Sequence, residues 1–406
     1  MKLALISLLL CELLGARVLS LKSAVNQTLN SHPDIRAYTL KVKGQELYKN
    51  IVSANRLPQI SAQLSYNINR TYTSPSLKGL KITNKNASAY SIKLRQLLYD
   101  FGKTNALIKE ALISKDIARL SLKKLKKLLA YRVKILYYTA ALQQRAIAVK
   151  RENLRLKELY YKRAAALFKQ GLKSKIDSKR FFTEVQRAKA DLIEAKAAFK
   201  KAKESLGFLM GAKLGKRVAF NSQVLKHSVN LSVANAAKNI DIAIQKRKIA
   251  KSYQEYKAKK AHFGDIEFQA TYSHINGLNS YNSKDVAVVA NIPIYSGGKL
   301  SNEEQLAKLN YQIAKLERAS KTLEVKDELN GIKSDIIALN GTIKMLKSEL
   351  KYSRDLKNAV NARYKNGLSS YLEVLDSINL IYATKLELLQ SYYKRALLIA
   401  KLEYLQ

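Results

Sequence analysis

The segment Leu97-Leu98-Tyr99-Asp100-Phe101-Gly102-Lys103 returns later in the chain as Pro293-Ile294-Tyr295-Ser296-Gly297-Gly298-Lys299. A second landmark, Phe168-Lys169-Gln170-Gly171-Leu172, returns as Tyr364-Lys365-Asn366-Gly367-Leu368 at the same separation, so no insertion divides the two landmarks in either half. A period this long means one structural unit written twice, and any fold must be assembled from two copies of one element order. A third match sets Leu57-Pro58-Gln59-Ile60 through Tyr66 against Phe263-Gly264-Asp265-Ile266 through Tyr272. Its wider separation puts the length difference between Tyr66 and Tyr99. Two repeats are expected, 21–215 and 216–406.

The first residues read as a leader. Met1-Lys2, the apolar run Leu3 to Leu14 and then Val18-Leu19-Ser20 have the order of a secretory signal peptide, 1–20, with cleavage expected after Ser20. Cys11 lies inside the apolar run, and Leu8-Leu9-Leu10 before it do not form a lipoprotein cleavage box, so lipidation is not expected. Loss of the leader leaves a mature chain without cysteine, which excludes disulfides, thiolate metal sites and cysteine nucleophiles. No other apolar run approaches the ~20 residues of a transmembrane helix. Any membrane crossing must therefore use strands.

Strands are marked by a change of period. Ile60, Ala62, Leu64, Tyr66 and Ile68 alternate with Ser61, Gln63, Ser65, Asn67 and Asn69, and similar alternation passes through Tyr90, Ile92 and Leu94 and through Ile266, Phe268, Ala270 and Tyr272. Val286 to Ile294 is a fourth, more apolar segment. Each approaches the ~9–11 residues with which a tilted strand crosses a bilayer. The stretches Arg70 to Asn86 and His274 to Lys284, with Gly, Pro, Asn and Ser, are expected as outward loops of hairpins at about 57–99 and 264–295. Tyr66, Tyr90, Tyr99, Tyr272 and Tyr295 suit aromatic girdles. Solvent-exposed hairpins on a soluble protein are the competing reading, disfavoured by the leader and the strand lengths. Four strands cannot close a barrel, since single-chain examples begin at about eight, and lipid does not tolerate open edges. Several copies must share one barrel, and three would supply twelve strands under cyclic symmetry.

The remainder is helical. From Lys103 to Gln170 there is neither proline nor glycine, and Ala118, Leu122, Leu125, Leu129, Val133, Leu136 and Ala140 trace a coiled-coil seam with one stutter. Ile332, Ile336, Leu339, Ile343, Leu346 and Leu350 keep a stricter heptad in the second half. Helices Lys103 to Lys169 and Lys299 to Lys365 would each extend roughly 100 Å at ~1.5 Å per residue. Gly171 and Gly367 mark their ends, and returning helices from Ser174 to Met210 and Ser370 to Leu405 complete helical hairpins at 102–210 and 299–405. The leading helices Leu21 to Asn55 and Val233 to Ala261 have the size to stack end to end on them. The fold class expected is mainly α with a membrane β-barrel part.

This order, with a strand pair ending in Leu-Tyr-Asp-x-Gly-Lys, a long helix and a Tyr-x-x-Gly-Leu turn, all given twice, resembles the TolC family of outer-membrane efflux proteins over nearly the whole mature chain. The resemblance implies a trimeric α-barrel tunnel topped by a shared 12-stranded β-barrel. It also implies a homotrimer in outer-membrane lipid, with a long periplasmic portion that meets a periplasmic adaptor protein and an inner-membrane pump. Such a trimer is the exit duct of a tripartite efflux pump or type I secretion system. Glu373 and Asp376 match acids that ring the narrowest part of the pore in that family, where crowded carboxylates favour cations. Tyr364 and Asp177 match a closed-state latch. The family's second latch is absent, because Ser369 and Ile176 stand at its positions. Gly171, Leu172 and Ser174, with Gly367, Leu368 and Ser370, resemble the tips that receive the adaptor. On the residues alone, Glu373 and Asp376 also read as acids solvating a helix start, and the Gly-Leu pairs as ordinary turns.

The net charge of +42 admits nucleic-acid binding by composition. Its clusters, Lys123-Lys124, Lys126-Lys127, Lys200-Lys201 and Lys257 with Lys259-Lys260, instead adjoin apolar seam positions and carry no base-stacking motif. They read as solvated helix faces, and no nucleic-acid partner is expected. A basic surface would also attract anionic lipid, polymer or cargo. His32, His227, His262 and His274 show no paired spacing, Asp100-Phe101-Gly102 lacks the other kinase motifs, and Gly297-Gly298-Lys299 lacks phosphate-loop spacing. No enzyme, metal site or cofactor is expected. The alternative to a duct is an exported periplasmic coiled-coil adaptor or scaffold without a pore.

Overall fold

A computed structural model of the chain describes residues 18–172, 174–215, 217–228, 235–366 and 368–406. Most of the leader, including Cys11, lies outside the described residues, and so does Gly367. The element order is β1 (Val18–Leu19), α1 (Leu21–Ser31), α2 (Pro33–Ala54), β2 (Gln59–Ser76), β3 (Gly79–Tyr99), α3 (Lys103–Lys169), α4 (Lys175–Met210), β4 (Ala219–Phe220), α5 (Ile240–Lys260), β5 (Asp265–Asn276), β6 (Ser280–Asn291), α6 (Lys299–Lys365) and α7 (Tyr371–Leu405). The two long helices, α3 and α6, have 67 residues each and the expected bounds.

The chain forms two compact units, and neither coincides with a sequence repeat. One unit holds the described residues up to Ala37 with Lys123–Ile240 and Thr322–Gln406, and the other holds Tyr38–Leu122 with Asp241–Lys321. Each therefore draws on both repeats.

The second unit carries the antiparallel sheet, in the order β2-β3-β5-β6, which leaves β2 and β6 as edges. Its register separates two chemistries. Ile60, Leu94, Ala270 and Val286 form one row across all four strands on one face. Gln59, Arg95, Gln269 and Ala287 form the neighbouring row on the other, followed by Ser61, Lys93, Thr271 and Asp285. Period-two alternation places the two sets on opposite sides of the pleat. On the apolar face Ile60 is 70% exposed and Leu64 82% exposed, a price no lone water-soluble sheet would bear. Tyr66, Tyr90 and Tyr272 share this face, with the rings of Tyr90 and Tyr272 6.4 Å apart.

The hairpins are longer than their sequence implies. Arg70 to Asn86, expected as a loop, is strand apart from a turn at Leu77-Lys78, with Arg70 opposite Lys85 and Pro75 opposite Leu80. Likewise His274 to Lys284 is strand except for residues 277–279. Cross-strand pairing satisfies the backbone of these polar residues, and that overrides a composition typical of loops.

Two strand-to-helix junctions explain the first repeated landmark. Phe101 and Gly102 have φ of 56° and 90°, and Gly297 and Gly298 have φ of 59° and 80°, so each repeat turns from strand into long helix through two consecutive left-handed residues. Glycine accepts this conformation freely, whereas at Phe101 it costs about 1–2 kcal/mol. Contacts with Tyr99 at 4.9 Å and Phe263 at 5.5 Å hold the Phe101 ring in place. Asp100 caps the helix, accepting from the Gly102 N–H at 3.2 Å and the Thr104 N–H at 2.6 Å.

In the first unit, Tyr137, Leu206, Met210, Phe220 and Leu225 are buried in one core with Ala24, Ala140 and Ala141. Seam residues Leu129, Val133 and Ala140 of α3 and Ile332, Ile336, Ile343 and Leu346 of α6 are buried as the heptads require. The leading segment departs from a single helix. It breaks at His32, where Pro33 lacks the N–H to continue α1 and opens α2 instead. Val18 and Leu19 pair in parallel with Ala219 and Phe220. Ser20 caps α1, its Oγ accepting from the Ser23 N–H at 3.1 Å. The expected cut after Ser20 would delete these contacts, whereas a cut before Val18 keeps them.

Candidate functional site

The two helical hairpins, α3–α4 and α6–α7, meet near their turns around an aromatic cluster. Tyr160, Ala164, Phe181, Tyr364, Val374 and Ile378 are buried together, with Tyr161, Leu167, Val360 and Tyr371 packed against them. Phe181 stacks on Tyr160 at 6.0 Å and meets the Tyr371 ring edge-on at 5.4 Å. Each ring buried here contributes about 1.5–3 kcal/mol. Arg180 lies over the Tyr371 ring at 5.2 Å, so a cation closes the cluster on one side.

Of the two residues expected as a latch, Tyr364 lies in this cluster. Tyr364 is buried beside Tyr160, with ring centroids 6.4 Å apart. Burial pushes the Tyr364 phenol above its usual range, and the negative charge of Asp177 and the Tyr160 phenol push it further, so Asp177 acts electrostatically on this tyrosine. A second connection was not anticipated. Asn361 of α6 accepts hydrogen bonds from the Tyr160 hydroxyl at 2.9 Å and the Arg163 guanidinium at 3.0 Å, both from α3. An isolated asparagine in a heptad gives no sign of such a role, and its counterpart in the first repeat is Ala165. Farther along, Lys385 of α7 reaches both carboxylate oxygens of Glu152 at 2.7 and 2.6 Å.

The turn ends themselves are open. Gly171 has φ of 72° with no neighbouring atom where a side chain would stand, and Leu172 and Leu368 are 67% and 69% exposed. Ser174 caps α4, accepting from the Ile176 N–H at 3.1 Å, and Ser370 caps α7. Two exposed leucines beside two serine caps leave an accessible apolar surface at each tip.

Glu373 and Asp376 are exposed on one side of α7, where i and i+3 residues share a face. Glu373 has a structural task as well. It completes a capping box with Ser370, and the Ser369 hydroxyl donates to its other oxygen. The Ser369 hydroxyl and then the Ser370 backbone N–H hold its carboxyl below the usual range. Ser369 thus binds within its own helix start rather than reaching Ile176, which is 58% exposed. The histidines are dispersed: His262 lies 3.6 Å from Glu304, and His274 stacks on Tyr90 at 5.1 Å.

Comparison with known proteins bears on the whole chain. Residues 24–212 and 230–403 match the family described as outer membrane efflux protein. Nodulation protein T of Rhizobium leguminosarum bv. trifolii is 23% identical over 94% of this chain and 84% of its own length. Cation efflux system protein CusC of Escherichia coli K12 is 22% identical over 92% of this chain and 83% of its own. The crystal structure of CusC superposes with a TM-score of 0.84 at 20% identity, covering 95% of this chain and 92% of that one. The outer membrane protein VceC of Vibrio cholerae gives a TM-score of 0.82 at 14% identity, with 95% of each chain covered. The duplicated element order, the two-faced sheet and the family match lead to one conclusion: the chain belongs to the outer membrane efflux protein family.

Proposed function

We propose that three copies of this chain form a passive exit duct, the outer-membrane channel component of a tripartite efflux pump or type I secretion system. One observation carries the reading: a four-stranded sheet with an exposed apolar face, an opposite polar face and two unpaired edges, β2 and β6. Lipid does not tolerate open edges, and pairing β6 of one copy with β2 of the next removes both. The apolar face then meets lipid and the polar face lines water.

The rest of the assignment follows from this duct. The tips at Gly171, Leu172 and Ser174 and at Gly367, Leu368 and Ser370 receive a periplasmic adaptor, whose inner-membrane pump selects the cargo. Glu373 and Asp376 ring the narrow end, and Tyr364 with Asp177 holds the two hairpins together when it is closed. The long helices cross the periplasm.

The test is extraction and reconstitution. Detergent-extracted outer membranes should yield a trimer that conducts ions across a planar bilayer. A water-soluble periplasmic monomer without conductance refutes the duct.

A further inference from the structure

The β2–β3 hairpin outreaches the rest of the sheet. β5 meets β3 no farther along than Asn276 opposite Ser88, and the β5–β6 chain turns back at residues 277–279. At this level β2 carries a bulge, where pairing steps from Asn67–Ala87 to Arg70–Lys85. Asn69 adopts φ of 54° there and donates its N–H to Asn86 Oδ1 at 3.0 Å. Beyond the bulge, Arg70–Ser76 and Gly79–Lys85 continue as a two-stranded ribbon.

The ribbon is amphipathic in register with the sheet. β3 has no extra residue here, so Lys81, Thr83 and Lys85 stay on the polar face with Lys93 and Arg95, whereas Leu80 and Ile82 continue the apolar face of Tyr90, Ile92 and Leu94. Arg70, Tyr72 and Ser74 lie opposite Lys85, Thr83 and Lys81. The ribbon contains four cations, Arg70, Lys78, Lys81 and Lys85, and no acidic residue. All four are exposed, and none joins an ion pair among the described residues. Lower on the same face the charges are matched: Arg95 binds Glu267 bidentately, and Lys93 shares its row with Asp285. Tyr72 fixes the ribbon over the β5–β6 turn, since a Cβ at Gly277 would lie 2.0 Å from its hydroxyl.

We infer that the ribbon makes the outer mouth of the duct a binding ring for multivalent anions, of the phosphate- or carboxylate-bearing class. The inference rests on the trimeric duct proposed above, which brings three copies of each cation around one opening. Unpaired like charges around a low-dielectric rim raise the local concentration of counter-ions by about 10- to 1,000-fold.

Tripolyphosphate added to wild-type trimers in a planar bilayer is the probe. Block is expected when it is added on the hairpin-tip side, fading as salt shortens the screening length. The Arg70→Gln/Lys81→Gln/Lys85→Gln variant should still conduct but weaken block by about tenfold or more. Should that variant fail to assemble, the side and salt dependence of wild-type block decide the matter alone. Block equal from both sides, or insensitive to salt, overturns the inference. Undiminished block in an assembled variant, with loss of trimer stability in lipopolysaccharide, overturns it too and assigns the cations to lipid phosphates. Wild-type trimers that never conduct remove the duct itself, a failure distinct from a conducting pore indifferent to tripolyphosphate.

Discussion

The Tyr160 hydroxyl and the Arg163 guanidinium converge on one atom, Asn361 Oδ1, from 2.9 and 3.0 Å. Asn361 therefore ties α6 to α3 near the turns, and truncating it unsatisfies two donors at once. Asn361→Ala should cost about 1–3 kcal/mol of that contact, because half-buried donors lose their partner. Tyr160→Phe keeps the ring against Phe181 and Tyr364 and should cost about 0.5–1.5 kcal/mol. If this contact holds the narrow end of the proposed duct, single-channel conductance should rise in Asn361→Ala and rise less in Tyr160→Phe. Wild-type conductance in Asn361→Ala would show that the contact does not gate.

The capping role of Glu373 and its proposed place in a carboxylate ring can be separated by substitution. Glutamine retains an oxygen to accept from the Ser370 N–H in the capping box but removes the charge, whereas alanine removes both. If the carboxylates form a ring in the trimer, block by a multivalent cation should weaken in Glu373→Gln as much as in Glu373→Ala, and in Asp376→Asn as well. Only Glu373→Ala should loosen the start of α7, read as faster amide exchange at Val374 and Leu375. Equal cation block in wild type and Glu373→Gln would leave Glu373 a helix cap and nothing more.

The repeat made the helical frame legible. The bounds of α3 followed from a run without proline or glycine, those of α6 from the repeated landmarks that flank it despite Gly331 and Gly341 inside, and the heptad at Ile332, Ile336, Ile343 and Leu346 identified the buried side of α6. The ribbon beyond Asn69 was hidden because Thr, Asn, Lys, Gly and Pro between Arg70 and Asn86 have the composition of a loop. Its order comes from cross-strand pairing, a nonlocal property. Asn361 was hidden for a related reason: its value depends on Tyr160 and Arg163, distant in sequence. Tyr364 and Asp177 were expected as a pair only through family resemblance, since nothing in their own spacing brings them together.

Acid should weaken the first helical hairpin through Glu184. Burial pushes its carboxyl up, but the hydrogen bond and charge of Lys157, with help from Arg187, outweigh this and leave it below the usual range. The Lys157 ammonium sits 2.7 Å from Glu184, and both side chains are largely buried. A folded pKa below the unfolded value of about 4.3 means that the ionised group stabilises the fold fully above that pH. The contribution is lost as pH falls through the folded pKa. Lys157→Met should destabilise the fold by about 1–3 kcal/mol at neutral pH, since Glu184 then keeps only Arg187. The difference from wild type should shrink in acid as Glu184 becomes protonated. Thermal melts by circular dichroism across pH check this, and a penalty independent of pH would assign the effect to lost packing instead.

Tyr137 ties down the first described residues and so bears on where the leader is cut. This fully buried ring donates its hydroxyl proton to the Leu19 carbonyl at 2.6 Å and accepts from the Asn221 N–H at 3.0 Å, and it packs edge-on against Phe220 at 5.3 Å. Leu19 and Phe220 are partners in the β1–β4 pair, so one tyrosine joins the first described residues to the link between the repeats. Cleavage after Ser20 would strip the buried hydroxyl of its acceptor and α1 of its cap. It would also place a charged amino group at the N-terminus of α1, where the helix dipole disfavours a cation. Processing on the N-terminal side of Val18 avoids all three penalties. Intact mass and N-terminal sequencing of protein purified from outer membranes should therefore give a chain that still contains Val18, Leu19 and Ser20. A mature chain beginning at Leu21 would mean that β1 is dispensable. In that case Leu19→Pro in the precursor should leave the thermal stability of the trimer unchanged, whereas retention of β1 predicts a clear loss.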